Sequence, residues 1–363
     1  MTTSQPEGPG RAPLCCPSAH LSARPSRRRM LAGALGAAAL AAGCGGHGTA
    51  PTTPVRPSTT PSTPTPPTAT GGPTTVHSAA PSAVPALPAT SAWTPGAGQV
   101  QPDVKLRAVQ LIEALGAWPD GGQGVAGARG RIAPLGVDPA LADQAGVLLQ
   151  TADRAALQVV VAQYGGILTD SASVLVVCEQ WTQTADGPLQ PGGTTVDVRL
   201  SAASPRWTVT ALHPAAPGPA AAALSQPAES VLADRRITLP PAAAADIRSG
   251  AVHDSVLTAM LALAAAHEFA VSVVRSGHPL DVFGTTRPSD HPLGRAFDVW
   301  QIDGRAVVDP ATPHALVDGF MRAAAAAGSY NVGGPRPLSG GSTPNRFFTD
   351  ATHHDHVHVG FRT

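Results

Sequence analysis

Lysine is almost missing from this chain: Lys105 is the only one, and the other 23 of its 24 basic residues are arginine. With Ala, Gly and Pro so abundant, that bias reads as the imprint of a GC-rich genome rather than as an arginine surface built for function. Cysteine is nearly as scarce. Of four cysteines, Cys15, Cys16 and Cys44 lie near the N-terminus, which leaves Cys178 alone in the body of the chain and excludes an internal disulfide there. Its setting, ASVLVVCEQW, is that of a buried strand, so a core thiol is expected rather than a nucleophile. Net charge is absent too. Formal charge is zero, and removal of residues 1–43, with five Arg and one Glu, leaves 19 basic against 23 acidic residues, a net of −4. Such a balance excludes the basic footprint of a nucleic-acid partner.

No apolar run is long enough to span a bilayer as a mature helix. The one that comes nearest, Ser26–Cys44 (SRRRMLAGALGAAALAAGC), has an arginine cluster, a short apolar stretch and small residues before a cysteine, which is the layout of an export signal over residues 1–43. Ser26, Arg27, Arg28, Met30 and Leu31 resemble the twin-arginine export pattern. LAAGC resembles a bacterial lipobox, with Leu40 four residues before Cys44 where three is usual. The resemblance implies lipidation of Cys44 and a membrane-anchored, extracytoplasmic protein; the alternative is a secreted protein cut near Ala42. Residues 44–99, almost entirely Pro, Thr, Ser, Ala and Gly, lack the apolar content to offset ordering entropy and are expected to form a tether. In the polyproline limit of about 3.1 Å per residue, such a tether reaches up to about 150 Å.

Beyond it the pattern becomes globular. VKLRAVQLIEAL has helical spacing, and Pro139–Leu149 reads as a second helix capped by Asp138. LQVVVAQYGGIL, SVLVVCEQW, TTVDVRLSA and RWTVTAL then read as a meander of strands. This predicts a small α+β domain over 100–213, whose element order loosely resembles NTF2-like domains. Residues 214–228 read as a Pro/Ala linker, and 229–363 as a second α+β domain. In it Val252–Phe269 is an amphipathic helix, AVSVVRSG a strand, RAFDVWQIDG with RAVVDP a hairpin, Pro313–Ala327 a helix and DHVHVGF a closing strand.

Seven of the thirteen histidines fall between residues 278 and 358. In SDHPLGRAFD, His291 and Asp298 are seven apart across a glycine-containing turn, so a loop side chain and a strand side chain can converge. On the closing strand His356 and His358 alternate with Val357, Val359 and Phe361, which places both imidazoles on one face. Two histidines and one aspartate satisfy the three-ligand count of hydrolytic zinc sites. Zinc there would lower the pKa of its water toward about 7 and polarise a carbonyl.

SDHPLGRAFD fits the Ser-x-His-x-x-Gly-x-Ala-x-Asp pattern of the D-Ala-D-Ala carboxypeptidases and dipeptidases, and DHVHV is similar to the His-x-His strand of the related murein endopeptidases. These families share one zinc fold, built on an antiparallel sheet, with the hedgehog signalling domain. The resemblance spans about 229–363 and implies a Zn2+ peptidase acting on peptidoglycan peptides, with His291, Asp298 and His358 as metal ligands. It implies His356 as proton donor or oxyanion stabiliser. The carboxypeptidases carry their general-base Glu where this chain has Asp355, one methylene shorter; on a regular strand Asp355 would face away from His358, and His353 is the other candidate. Arg275 matches the arginine that these families turn on substrate carboxylate or carbonyl, and Ser289 is expected to bond the loop or a ligand. Beside the peptidase reading stand two others: a zinc-bearing wall-binding module without hydrolysis, and a lipoprotein whose first domain recruits a partner. His278 and His314 read as bystanders, and His354 as support for His356.

Overall fold

The computed structural model describes residues 86–185, 187–343 and 346–363. The expected export signal, Cys44 and the first part of the tether lie outside the described residues. Among the described residues no helix is long and apolar enough to cross a membrane.

Pro102 at the first helical position and Asp103 in the first turn start helix α1 (Pro102–Gly116). Val104, Ala108, Leu111, Ile112 and Leu115 bury its apolar stripe, and Lys105 lies buried with them. Helix α2 (Gly124–Ile132) follows. Asp138 does cap the next segment, its side chain accepting from the Ala140 amide, but Pro139–Gln144 and Gly146–Leu148 are short 3-10 turns rather than one α-helix. Four strands, β1 (Arg154–Ile167), β2 (Ser171–Gln183), β3 (Gln190–Ser201) and β4 (Thr208–Pro214), form an antiparallel meander in sequence order. Val174, Val176 and Cys178 of β2 pack toward α1 in a first hydrophobic core. Burial pushes the Cys178 thiol up to about 12, as befits a core group.

The second sheet follows α3 (Gln226–Ala233), β5 (Ile237–Thr238), α4 (Pro241–Arg248) and α5 (Asp254–Ala264). It adds β6 (Phe269–Val273), β7 (Ala296–Ile302), β8 (Arg305–Ala306), helix α6 (His314–Ala326), β9 (Asn331–Gly333), β10 (Phe347–Phe348) and β11 (Val357–Gly360). Strand order is β10-β9-β11-β7-β6-β5, with β8 paired to β7 as the expected hairpin. The chain is therefore α+β. One detail differs from expectation: this sheet is mixed, because its outer pairs β10/β9 and β5/β6 are parallel. Val256, Met260, Phe297, Phe320 and Val357 fill a second core between this sheet and its helices.

The two cores nonetheless belong to one compact unit. Residues 86–99 do not extend as a tether; Trp93 packs on the first core and its amide donates to Glu113 (2.8 Å), while the Gly98 carbonyl oxygen meets His354 Nε2 at 2.8 Å. A single half-buried tryptophan packed on the core outweighs the Pro/Ser/Ala composition around it. The expected linker is strapped down as well, with the Ala221 amide donating to the Arg248 carbonyl (2.8 Å).

The tightest backbone approach lies between the two motif residues His291 and Asp298. Gly294 has φ +69°, and a Cβ there would stand 2.0 Å from the Ala251 carbonyl oxygen. Gly294→Ala combines a left-handed residue with a backbone collision, each worth on the order of 1–3 kcal/mol. It is expected to lower the urea-unfolding free energy by about 2 kcal/mol or more; a loss under about 0.5 kcal/mol would show that the loop tolerates the added carbon.

Candidate metal centre

His358 lies at the middle of the second sheet, opposite Asp298 on β7 and Gly333 on β9. That register alone brings two of the motif side chains together. His291 arrives from the loop before β7, fixed by its ring: Nδ1 lies 2.8 Å from the Val274 carbonyl oxygen, so Nδ1–H donates there and Nε2 keeps its lone pair for the interior. The three polar atoms form a triangle. His291 Nε2 is 3.1 Å from Asp298 Oδ1 and 3.1 Å from His358 Nδ1, and His358 Nδ1 is 3.0 Å from Asp298 Oδ1. Ligands about 2.0–2.2 Å from one tetrahedral ion stand roughly 3.3–3.6 Å apart, so a small outward relaxation admits a metal.

His278 joins this group. His278, His291 and Asp298 have ligand atoms all within 4.8 Å of one another and could hold a metal ion. The triangle through His358 is tighter, and His278 spends its Nδ1 on the Pro279 carbonyl (3.0 Å) while stacking on His291 with centroids 4.1 Å apart. His278 is therefore part of the group that could hold a metal ion, with its Nδ1 engaged by the Pro279 carbonyl. It is no bystander. Its local sequence, His before Pro, carried no periodic signal that could have marked it. Ser289 holds the same loop, its hydroxyl 3.5 Å from His278 Nδ1 and 3.4 Å from the His291 amide.

His356 and Asp355 depart from the expected strand. Residues 352–354 form a one-turn 3-10 segment and β11 begins only at Val357, so both side chains are aimed by a bend rather than by strand alternation. His356 still converges, with Nε2 3.5 Å from Asp298 Oδ2. Asp355 sits behind it. Its Oδ1 is 2.6 Å from His356 Nδ1, while its Oδ2 accepts from Lys105 Nζ and from the Tyr164 amide (3.2 Å). Both oxygens are thus engaged within the protein, and the buried Asp355 is turned to His356, Lys105 and the Tyr164 amide rather than lining the cavity. His353 does line the cavity. Its Nδ1 is 2.7 Å from Asp350 Oδ1, and its ring lies 5.2 Å from that of His356 and 5.6 Å from that of His358. Gly333 makes room for it, since a Cβ there would stand 2.7 Å from His353 Cδ2. His354 turns away to the Gly98 carbonyl and does not support His356.

The cavity over the triangle measures ≈ 670 Å³ and is walled by Tyr164 and Gly165 of β1, Phe283, Tyr330, Phe348 and the histidines. Arg275 is elsewhere. It lines an adjoining cleft of ≈ 570 Å³ with Asp197 and Arg199, and it stands 3.9 Å from the buried Asp246. His278, Val282 and Phe283 are shared by the two clefts.

Electrostatics follow from burial. Burial would raise Asp298, but His291 and His356 beside it outweigh that and hold its carboxyl well below the usual range. Burial likewise would raise Asp355, and Lys105 with His356 overcomes it. Burial opposes charge on His356, yet Asp298 and Asp355 raise it above the ordinary imidazole value. His358 goes the other way, pushed down by burial to about 4, and burial holds His278 far below its ordinary value. Neutral rings are the form that binds metal.

Those depressed histidines make the chelator-treated protein sensitive to acid. Its unfolded chain takes up protons near pH 6.5 that the folded chain refuses until far lower pH, so stability falls between about pH 6.5 and 4. Each such group steepens the fall by up to about 1.4 kcal/mol per pH unit. His356, whose value is raised, contributes fully below pH 6.5, and the aspartates lose their contribution only below about pH 4. The thermal midpoint recorded from pH 7 to 4.5 is expected to drop more steeply for the wild type than for His358→Gln; parallel curves would refute the assignment.

No protein-family model, curated protein or solved structure matches this chain, so the chemistry of the centre rests on its own residues.

Proposed function

We propose that the protein is a zinc-dependent peptidase of the peptidoglycan layer, acting on stem peptides or cross-links and held outside the membrane through lipidated Cys44. The observation that carries this reading is the buried triangle of His291 Nε2, Asp298 Oδ1 and His358 Nδ1. Two neutral imidazoles and one carboxylate suit zinc better than calcium or magnesium, which prefer all-oxygen shells. His291, Asp298 and His358 would hold the zinc, which would supply a Lewis acid and lower the pKa of its water toward about 7. Support for the substrate class comes from SDHPLGRAFD and DHVHV, and from the export signal and Pro/Thr-rich segment ahead of them. On the same motifs we infer the hedgehog-type zinc fold for the second sheet, and on element order an NTF2-like relationship for the first.

The residues divide the proton work by position. His353, anchored through Nδ1 by Asp350, has Nε2 free to take and return a proton in the cavity. His356, with Nδ1 turned to Asp355, presents Nε2 beside Asp298 as a donor to developing negative charge. Arg275 can hold substrate carboxylate only on a peptide long enough to reach the adjoining cleft.

A second reading, a non-catalytic zinc-containing wall-binding lipoprotein, is favoured by one observation: Asp355, at the position where the resembled carboxypeptidases carry Glu, is tied to Lys105 and His356. The two separate on purified protein incubated with muropeptides. About one zinc per chain is expected, lost in His358→Ala and Asp298→Ala. His353→Gln is expected to keep its zinc while kcat falls about 10²–10⁴-fold, the usual worth of a positioned acid or base. A wild type without stoichiometric zinc would sink the centre; zinc without cleavage of any muropeptide would select the binding module.

A further inference from the structure

The first sheet does not merely adjoin the metal centre; it reaches into it. Gln163 of β1 is wholly buried, and its Nε2 donates to Asp298 Oδ2 at 2.8 Å across a sequence separation of 135 residues. Its Oε1 is buried without a hydrogen-bond partner among the described residues, so the amide is not held there by a fully satisfied network of its own. The strand is shaped for the purpose: the β1/β2 register shifts between Tyr164 and Gly166, a bulge that re-aims the chain where Gln163 and Tyr164 meet the second sheet. Gly165 and Gly166 let the 279–283 segment close over it, for a Cβ on Gly166 would lie 2.1 Å from Phe283.

Lys105 works one step further back. It is fully buried, donates to Asp355 Oδ2 and Gln99 Oε1, and lies 4.8 Å over the Tyr164 ring. Asp355, so held, accepts from His356 Nδ1 and thereby fixes which nitrogen His356 turns toward Asp298.

We propose that Gln163 and Lys105 are positioning residues of the metal centre, so that the first α+β layer is a working part of the site rather than a spacer or a separate binding domain. Gln163 occupies the second oxygen of Asp298 and leaves Oδ1 as the single oxygen facing His291 and His358. Lys105 sets His356 through Asp355. This inference rests on the zinc reading above, and its test separates the two.

Zinc affinity is measured by chelator competition on the full exported chain, together with the visible spectrum of the Co2+-loaded protein, for wild type, Gln163→Met and Gln163→Asn. The first variant removes the donor at similar length; the second keeps the amide but withdraws it by one methylene, and serves if the first fails to fold. Groups that orient ligands typically contribute 10–100-fold to metal affinity, and a loss of that size with an altered Co2+ spectrum is expected while far-UV dichroism stays that of the wild type. For Lys105 the readout is the pair of ring ¹⁵N signals of His356. They are expected to move in Lys105→Met and in the Lys105→Met/Asp355→Asn double variant, which removes both members of the ion pair and strands no buried charge. Wild-type zinc affinity and Co2+ spectrum in the Gln163 variants, or unmoved His356 signals, would overturn the proposal with the zinc reading intact. A wild type that takes up no zinc would overturn the zinc reading and this proposal together.

Discussion

A carboxylate taken fully out of water costs several kcal/mol unless it is paired and hydrogen-bonded, and Asp298 is such a group. Its Oδ2 accepts from Gln163 with His356 Nε2 3.5 Å away, and its Oδ1 faces His291 Nε2 at 3.1 Å and His358 Nδ1 at 3.0 Å. Each partner is delivered by a different device. Sheet register supplies His358, a loop closed on Gly294 supplies His291, a bend before β11 supplies His356 and a bulged strand of the other sheet supplies Gln163. Loss of Gln163 or His356 removes a partner of a buried carboxylate, so the state of this one group depends on both layers.

The same requirement explains which parts were legible in the sequence. Strand alternation and helical spacing are local, and most elements of both layers could be read from them, as could the His291 and Asp298 pairing across a turn and the convergence of His358. Misreadings fall where geometry is set by distant partners. Asp355 and His356 look like strand residues from DHVHV, yet the strand starts at Val357, because the preceding turn is tied to the first layer through Thr352 and the Ile167 amide (3.3 Å) and through His354 and Gly98. Trp93 likewise draws residues 86–99 onto the first core, although their composition reads as a tether. The Asp355 pairing with Lys105 spans 250 residues, and no local pattern encodes it.

Position also sorts the chemistry among residues of one type. Asp350 and Asp355 each hold a histidine through Nδ1, at 2.7 and 2.6 Å. Asp350 lies on the cavity wall and leaves His353 open to it; Asp355 is buried, with both oxygens engaged by His356, Lys105 and the Tyr164 amide. A group that exchanges protons with a reactant needs access as well as a suitable partner, and His353 lines the cavity where Asp355 does not.

Lysine scarcity takes on a different meaning in this setting. Arginine stands at every other basic position, and the one lysine sits where nothing is exposed. The space around Lys105 offers two acceptor oxygens, from Asp355 and Gln99, and the face of Tyr164. A compact ammonium with three donors is satisfied by two acceptors and an aromatic face. A guanidinium would bring five donors in a rigid plane and strand several of them in a dry interior, each at a cost of about 1–3 kcal/mol. The ammonium is the cation that can be buried against Asp355 without leaving donors unpaired, and it is that burial which carries the first layer's hold on His356.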